Sequence, residues 1–158
     1  MDQLRIGIIG LGKMARLALR VFSENHLTRV SAVSARRQEV VDEISAQFSL
    51  PGYTDYRKML ERDDIDAVVV ATPDNHHFEF ANAALESGRH VFVEKPFTTS
   101  VAEADALLRL AHKMKRKIQV AFNHRWLSAY YKTHDTIASG GIGTPMTGYA
   151  RKSDTIIV

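Results

Sequence analysis

Leu4-Arg5-Ile6-Gly7-Ile8-Ile9-Gly10-Leu11-Gly12-Lys13-Met14-Ala15 is the stretch that decides the fold. A short apolar run feeds two closely spaced glycines, and a segment of helical periodicity follows at once. Met14, Leu17, Ala18, Val21 and Phe22 fall at i, i+3, i+4, i+7 and i+8, which predicts one apolar face of a helix. Strand, glycine turn and helix in that order are the context a dinucleotide fingerprint requires. In that arrangement Gly10 permits the tight turn and Gly12 lets backbone N–H groups approach a pyrophosphate. Ala15 takes the third position, where a small residue allows close packing of helix on strand. The helix N-terminus adds unpaired donors and partial positive charge. A plain strand-to-helix turn uses the same glycines, so the motif alone leaves both readings open.

Outward from that turn the alternation continues. Arg29-Val30-Ser31-Ala32-Val33 reads as a second strand, and Val40, Val41, Ile44 and Phe48 mark a second helix that Pro51-Gly52 breaks. Tyr53-Thr54 gives a short third strand before a helix around Met59-Leu60. Asp66-Ala67-Val68-Val69-Val70-Ala71 is an unbroken run typical of a parallel strand covered on both faces. Phe80, Ala81, Ala84 and Leu85 predict the next helix, which Gly88 ends. His90-Val91-Phe92-Val93 is a fifth strand. Ser100 and Glu103, at capping-box spacing, open a helix with Ala104, Leu107, Leu108 and Ala111 on its inner face. Ile118-Gln119-Val120-Ala121 is a sixth strand. The pattern predicts an α/β fold, a doubly wound, mostly parallel Rossmann sheet with helices on both faces.

The tail departs from this pattern. Trp126 to Ala138 predicts a helix with Trp126, Tyr130 and Ile137 as its apolar side, Ser139 to Gly143 a loop, and Met146 to Arg151 a further strand. The apolar run Thr155-Ile156-Ile157-Val158 follows, and the tail reads as the truncated start of a second α/β domain. The expected division is a dinucleotide-binding domain over 1–124, then a connecting helix and the first strand of a substrate and oligomerisation domain over 125–158.

Composition bounds the function classes. The 158 residues suffice for one good core, and 45% apolar with 25% charged residues is ordinary for a globular chain. No apolar run approaches the roughly 18 residues of a membrane span, so no membrane partner is expected. Met1-Asp2-Gln3 does not open a signal peptide, and the absence of cysteine removes disulfides and thiolate metal sites. Both agree with a cytoplasmic location. The net charge of +3 is mild, and the one dense basic cluster, Lys113 to Lys117, falls at a helix end where cations are favoured. Nucleic acid is therefore not an expected partner.

Open α/β sheets bind ligands beyond the carboxyl ends of their strands, so those ends carry the informative residues. The second end holds Ser34-Ala35-Arg36-Arg37. A cofactor without a 2′-phosphate favours an acid there; two arginines stand instead, and a guanidinium fork matches a phosphate. That reading favours NADP(H), with NAD(H) the alternative cofactor. Two solvated arginines at a helix start are the competing reading. The fourth end, Ala71-Thr72-Pro73-Asp74-Asn75-His76-His77, offers Thr72 or Asn75 to the cofactor's ribose or nicotinamide, although Asp74 or Asn75 serves equally as an N-cap. The paired histidines have no companion at metal-helix spacing, and no metal is expected. The fifth end, Glu94-Lys95-Pro96, places a lysine where it can polarise a substrate hydroxyl or carbonyl, with Glu94 to orient it; a surface charge is the plainer reading.

Taken together, these residues are familiar. Gly7-x-x-Gly10-x-Gly12, Asp66-Ala67-Val68, Ala71-Thr72-Pro73 with His77, Gly88-Arg89-His90-Val91 and Glu94-Lys95-Pro96 stand in one order and spacing. With Asn123-x-Arg125-Trp126 and Gly140-x-Ile142-Gly143, they make the chain resemble the glucose–fructose oxidoreductase/inositol dehydrogenase (Gfo/Idh/MocA) family. The resemblance implies an N-terminal Rossmann domain that binds NAD(P) and a C-terminal α/β domain that shapes the substrate site. It implies that Gly10, Gly12, Lys13 and Met14 line the pyrophosphate turn and that Ser34, Arg36 and Arg37 face the adenosine ribose. Thr72, Pro73, Asn75 and His77 would form the loop near the ribose and nicotinamide. Glu94 would contact the nicotinamide ribose, Lys95 would be the active-site lysine, and Asn123 and Arg125 would lie near the domain junction.

The implied activity is hydride transfer between a nicotinamide and a sugar, inositol or related polyol or carbonyl substrate, by a full-length protein that is a homo-oligomer. The family's usual acid–base histidine and its partner aspartate would lie past Val158, and His124 and His134 do not match that motif. This chain alone is then expected to bind cofactor with little turnover. A non-catalytic dinucleotide-binding regulatory module is the alternative, because the family includes co-regulators on the same fold.

Overall fold

Strand and helix alternate through most of the chain in the computed structural model, which describes residues 3–151. The order is β1 (Leu4–Ile9), α1 (Lys13–Glu24), β2 (Thr28–Ser34), α2 (Gln38–Phe48), β3 (Gly52–Tyr53), α3 (Tyr56–Leu60) and β4 (Ala67–Val70). A 3-10 turn over Asp74–His76 leads into α4 (His77–Glu86), then β5 (His90–Val93), α5 (Val101–Lys113) and β6 (Ile118–Val120). All strand pairs are parallel, and the six-stranded sheet has the order β3-β2-β1-β4-β5-β6. The direction of winding reverses between β1 and β4, the doubly wound arrangement the sequence predicts.

Two apolar layers cover the sheet. On one face Ile6, Ile8, Val33 and Val69 pack with Leu19 of α1 and Val41 and Ile44 of α2. On the other, Val68, Val70 and Val93 meet Met59 of α3, Leu85 of α4 and Leu107 of α5. Val68, Val69 and Val70 thus serve both layers in turn, which explains why β4 reads as continuous rather than alternating. Each such side chain contributes about 1.5–3 kcal/mol by leaving water.

Two helix faces differ from the periodicity reading. In α1 the sheet takes Ala15 and Leu19, while Met14, Leu17 and Val21 are 40%, 44% and 51% exposed. Ala18 and Phe22 of the expected face do pack against the same apolar layer, so the buried side is centred on Ala15 and Leu19 rather than on Met14 and Leu17. In α5 Leu107 and Ala111 are buried but Leu108 is exposed, and the Ser100 hydroxyl makes no cap hydrogen bond, so the capping box does not form. α4 ends as expected at Gly88, whose φ is +80°, with Arg89 N–H donating to the Ala84 carbonyl.

β2 carries an irregularity. Ile6 pairs with Val30 but Gly7 pairs with Ala32, so Ser31 has no opposite number on β1. Val30 and Val33, three residues apart, consequently face the same apolar layer, and Ala32 faces the other.

The chain divides into two compact units, Met1–Ala121 and Phe122–Val158, a boundary slightly before the expected one. The second unit holds a 3-10 turn over Asn123–Trp126 and α6 (Ser128–Ala138), with the His124 ring stacked on Tyr130 at 5.4 Å. Tyr130 and Ile137 lie on α6 and Trp126 in the turn before it, and all three are exposed. Residues 146–151 form no strand, contrary to the sequence reading, and Thr155–Val158 lie outside the described residues. Among the described residues no helix is long and apolar enough to cross a membrane, and no cluster of three metal-ligating side chains occurs.

Candidate functional site

A cleft of about 1080 Å³ opens over the carboxyl ends of the strands in the first unit. Its floor is the turn between β1 and α1. Gly10 has φ +94°, and a Cβ there would lie 2.3 Å from the Ala71 carbonyl oxygen, so the turn closes against the end of β4 only with glycine. The Gly10 N–H donates to the Ser34 carbonyl at 2.8 Å, joining the ends of β1 and β2. Gly12 differs: its φ is −75°, and a Cβ would meet nothing within 4 Å. Its lack of a side chain serves the open cleft rather than the packing.

α1 starts at this point without a side-chain cap and without an acidic residue in its first turn. Its first backbone N–H groups therefore have no partner inside the helix, while Lys13 and Met14 line the cleft. Arg16, one turn in, donates to the Leu11 carbonyl at 3.3 Å and pairs with Glu43 of α2 through contacts of 2.7 and 2.9 Å. That hydrogen-bonded pair holds the Glu43 carboxyl below its usual pKa and fixes α1 against α2.

The β2 end supplies Ser34, Arg36 and Arg37 to the lining. Ser34 is buried; Arg36 and Arg37 are exposed, and Arg37 lies 3.7 Å from Glu39. Arg37 is also the N-cap of α2, again without a side-chain cap. From the β4 end come Thr72 and Pro73. The Thr72 hydroxyl oxygen is buried with no hydrogen-bond partner, the kind of group that a ligand completes. The β5 end contributes Glu94 and Lys95. Glu94 accepts the Lys95 backbone N–H at 3.2 Å rather than its ammonium, which is exposed and forms no ion pair among the described residues. The Lys95–Pro96 peptide bond is cis.

Two of the sequence-predicted residues in the first unit stand outside the lining. Asn75 is exposed in the turn before α4. His77, expected in the loop near the ribose and nicotinamide, is 0% exposed, and its ring turns inward between two loop carbonyls. Asn123 and Arg125 belong to the second unit. Conversely, the sequence reading passed over the wall that α3 and α4 give the cleft. The Tyr56 hydroxyl donates to Glu79 at 3.2 Å, its ring meets Phe80 edge-on at 4.8 Å, and the Arg57 guanidinium lies 4.5 Å over it. Burial, then Glu79, raises the Tyr56 pKa. The signal for this wall was present, since Tyr56 and Arg57 closely follow the end of β3.

A dinucleotide fits this donor set. Unpaired helix N–H groups and the open side of Gly12 suit a pyrophosphate, two exposed arginines suit a further phosphate, and Thr72 offers a hydroxyl lacking a partner.

Known proteins agree with this geometry. The family model described as an oxidoreductase family with an NAD-binding Rossmann fold matches residues 4–122. A dTDP-3,4-didehydro-2,6-dideoxy-alpha-D-glucose 3-reductase of Actinomadura kijaniata is 33% identical over 143 residues, covering 90% of this chain and 43% of that protein. An inositol 2-dehydrogenase of Salmonella typhimurium is 29% identical over 147 residues, covering 92% and 43%. Among solved structures, a 3-ketoreductase from Actinomadura kijaniata in complex with TDP-benzene and NADP superposes with TM-score 0.82 at 31% identity, covering 88% and 43%. The scyllo-inositol dehydrogenase from Lactobacillus casei with bound NAD(H) and scyllo-inositol has the same fold, with TM-score 0.84 at 23% identity, covering 90% and 43%. The chain thus spans less than half the length of these relatives. With the fingerprint turn, the sheet order and the family match in agreement, the chain belongs to the Gfo/Idh/MocA oxidoreductases and comprises their NAD-binding Rossmann domain.

Proposed function

We propose that the chain is the cofactor-binding portion of an NADP(H)-preferring oxidoreductase that moves hydride between the nicotinamide and a sugar, inositol or related polyol or carbonyl substrate. The observation that carries this reading is the cleft itself, where the uncapped start of α1, the open side of Gly12 and Lys95 share one lining. In it the Gly10–Met14 turn holds the pyrophosphate by backbone donors, and Arg36 with Arg37 neutralises the 2′-phosphate. The Thr72 hydroxyl pairs with the ribose or carboxamide. Bound cofactor supplies the hydride chemistry. Lys95 donates a hydrogen bond from its ammonium to the substrate oxygen whose charge changes in the reaction. The relatives named as a sugar 3-reductase and an inositol dehydrogenase support the substrate class, and the ketoreductase holding NADP supports the cofactor. Titrating the chain with NADPH and NADH by nicotinamide fluorescence tests the reading: NADPH binds more tightly, and absence of binding at millimolar cofactor overturns it.

A further inference from the structure

His77 is the one fully buried histidine among the described residues, and its surroundings are unusual. It is the first residue of α4, five residues beyond Thr72, and its ring nitrogens contact one carbonyl in each of the loops that follow β4 and β5. Nδ1 lies 2.6 Å from the Pro96 carbonyl oxygen and Nε2 lies 3.1 Å from the Thr72 carbonyl oxygen. Each carbonyl belongs to a residue at, or next to, one that lines the cleft: Thr72 itself, and Pro96 directly after Lys95. A contact of 2.6 Å between a bare nitrogen and a carbonyl oxygen sets lone pair against lone pair. With a proton on Nδ1 it is a short hydrogen bond; a neutral ring carries one N–H, and the shorter of its two carbonyl contacts, which tolerates a bare nitrogen less than the 3.1 Å contact at Nε2, assigns that proton to Nδ1.

We infer that His77 is a positioning residue: through Nδ1–H donated to the Pro96 carbonyl, and with its other edge against Thr72, it sets the separation of the two loops that present Thr72 and Lys95 to the cleft. This rests on the cofactor reading above and extends it from the residues that touch a ligand to the one that spaces them. The geometry makes the effect local. The two loops follow β4 and β5, whereas the Arg36–Arg37 segment follows β2, on the far side of β1 in the sheet. Losing the clasp displaces one end of the binding site and leaves the other in place.

The side-chain amide of asparagine reproduces a donor at the Nδ1 position, that of glutamine reproduces one at the Nε2 position, and leucine supplies neither. The chain and its His77→Asn, His77→Gln and His77→Leu variants are titrated with NADPH, nicotinamide mononucleotide and adenosine 2′,5′-bisphosphate. His77→Leu and His77→Gln weaken NADPH and nicotinamide mononucleotide by about tenfold, the loss of one buried hydrogen bond. In both variants adenosine 2′,5′-bisphosphate binds as it does to the parent, and His77→Asn restores most of the lost affinity. Equal loss for both half-ligands, or rescue by glutamine instead of asparagine, overturns the clasp. Nitrogen-15 spectra of the unliganded parent chain provide a test independent of any variant's folding, with Nδ1 protonated; a bare Nδ1 overturns it. Failure of the parent to bind NADPH with Nδ1 protonated refutes the cofactor reading and its extension to binding, while the bridge between the loops stands.

Discussion

Asp66 grips Arg5 with both carboxylate oxygens. Oδ1 lies 2.6 Å and Oδ2 2.9 Å from the guanidinium, and Oδ2 also accepts the Arg5 backbone N–H at 2.9 Å. The pair ties the start of β1 to the residue before β4, the two strands between which the winding reverses. The Arg5 hydrogen bond holds the Asp66 carboxyl down at about 2. Its pKa is thus lower folded than unfolded, so the stabilisation is fully present above the unfolded value of about 4 and is lost as pH falls through about 2. Asp66→Asn therefore costs about 1 kcal/mol at neutral pH, a figure reduced for the contact's partial exposure. Urea melts of both proteins from pH 7 to pH 2 should converge at the acid end. A constant gap across that range would remove the pair from the account.

The two fingerprint glycines should fail in different ways. Gly10→Ala places a side chain at a positive φ and against the Ala71 carbonyl, costing at least about 2 kcal/mol of stability. Gly12→Asp has room, and its extended backbone suits an N-cap, so it caps α1 and keeps or raises the melting temperature. The same carboxylate repels a pyrophosphate, and NADPH affinity drops by about tenfold or more. Thermal melts beside NADPH titrations check both, and full NADPH affinity in Gly12→Asp would contradict the site.

Arg36→Asp should weaken NADPH by about tenfold and leave NADH nearly unchanged, because only the former brings a 2′-phosphate to the β2 end. The measurement is a pair of dissociation constants at one ionic strength. Equal effects on both cofactors, or none, argue for a solvated arginine.

Lys95→Met should separate binding from chemistry. NADPH affinity of the chain changes by no more than about threefold, since the ammonium makes no ion pair among the described residues that would reorganise. In the longer protein, turnover falls about a hundredfold or more, the usual scale for a lost proton donor. Turnover persisting in the variant would return Lys95 to the plain surface-charge reading.

The legible parts of the chain are those fixed by local chemistry. β4 stands out because three consecutive valines serve both apolar layers, and the glycine turn does because Gly10 needs a positive φ. The α1 stripe is legible in part: Ala18 and Phe22 pack against the sheet layer, whereas Met14, Leu17 and Val21 share their spacing and stand exposed, because the buried side is centred on Ala15 and Leu19. His77 reads as one more polar residue at a strand end. Its inward turn depends on the Pro96 carbonyl, nineteen residues later in the chain, and no local pattern encodes that. The wall of Tyr56, Arg57 and Glu79 has its first two members marked by the end of β3, but Glu79 joins Tyr56 from 23 residues further along the chain, a pairing that no local pattern encodes.

The unpaired Ser31 has a consequence for anyone transplanting cofactor preference between dinucleotide sheets. Val30 and Ala32 pair with the neighbours Ile6 and Gly7 and face opposite layers, as consecutive residues of an unbroken strand would, so the sheet absorbs the extra residue locally. Ala32 to Ser34 keep the phase of a regular ladder. The Ser34 to Arg37 segment is therefore portable by itself, and deletion of Ser31 would leave Ser34 opposite Ile9, with the arginines beyond it delivered as before.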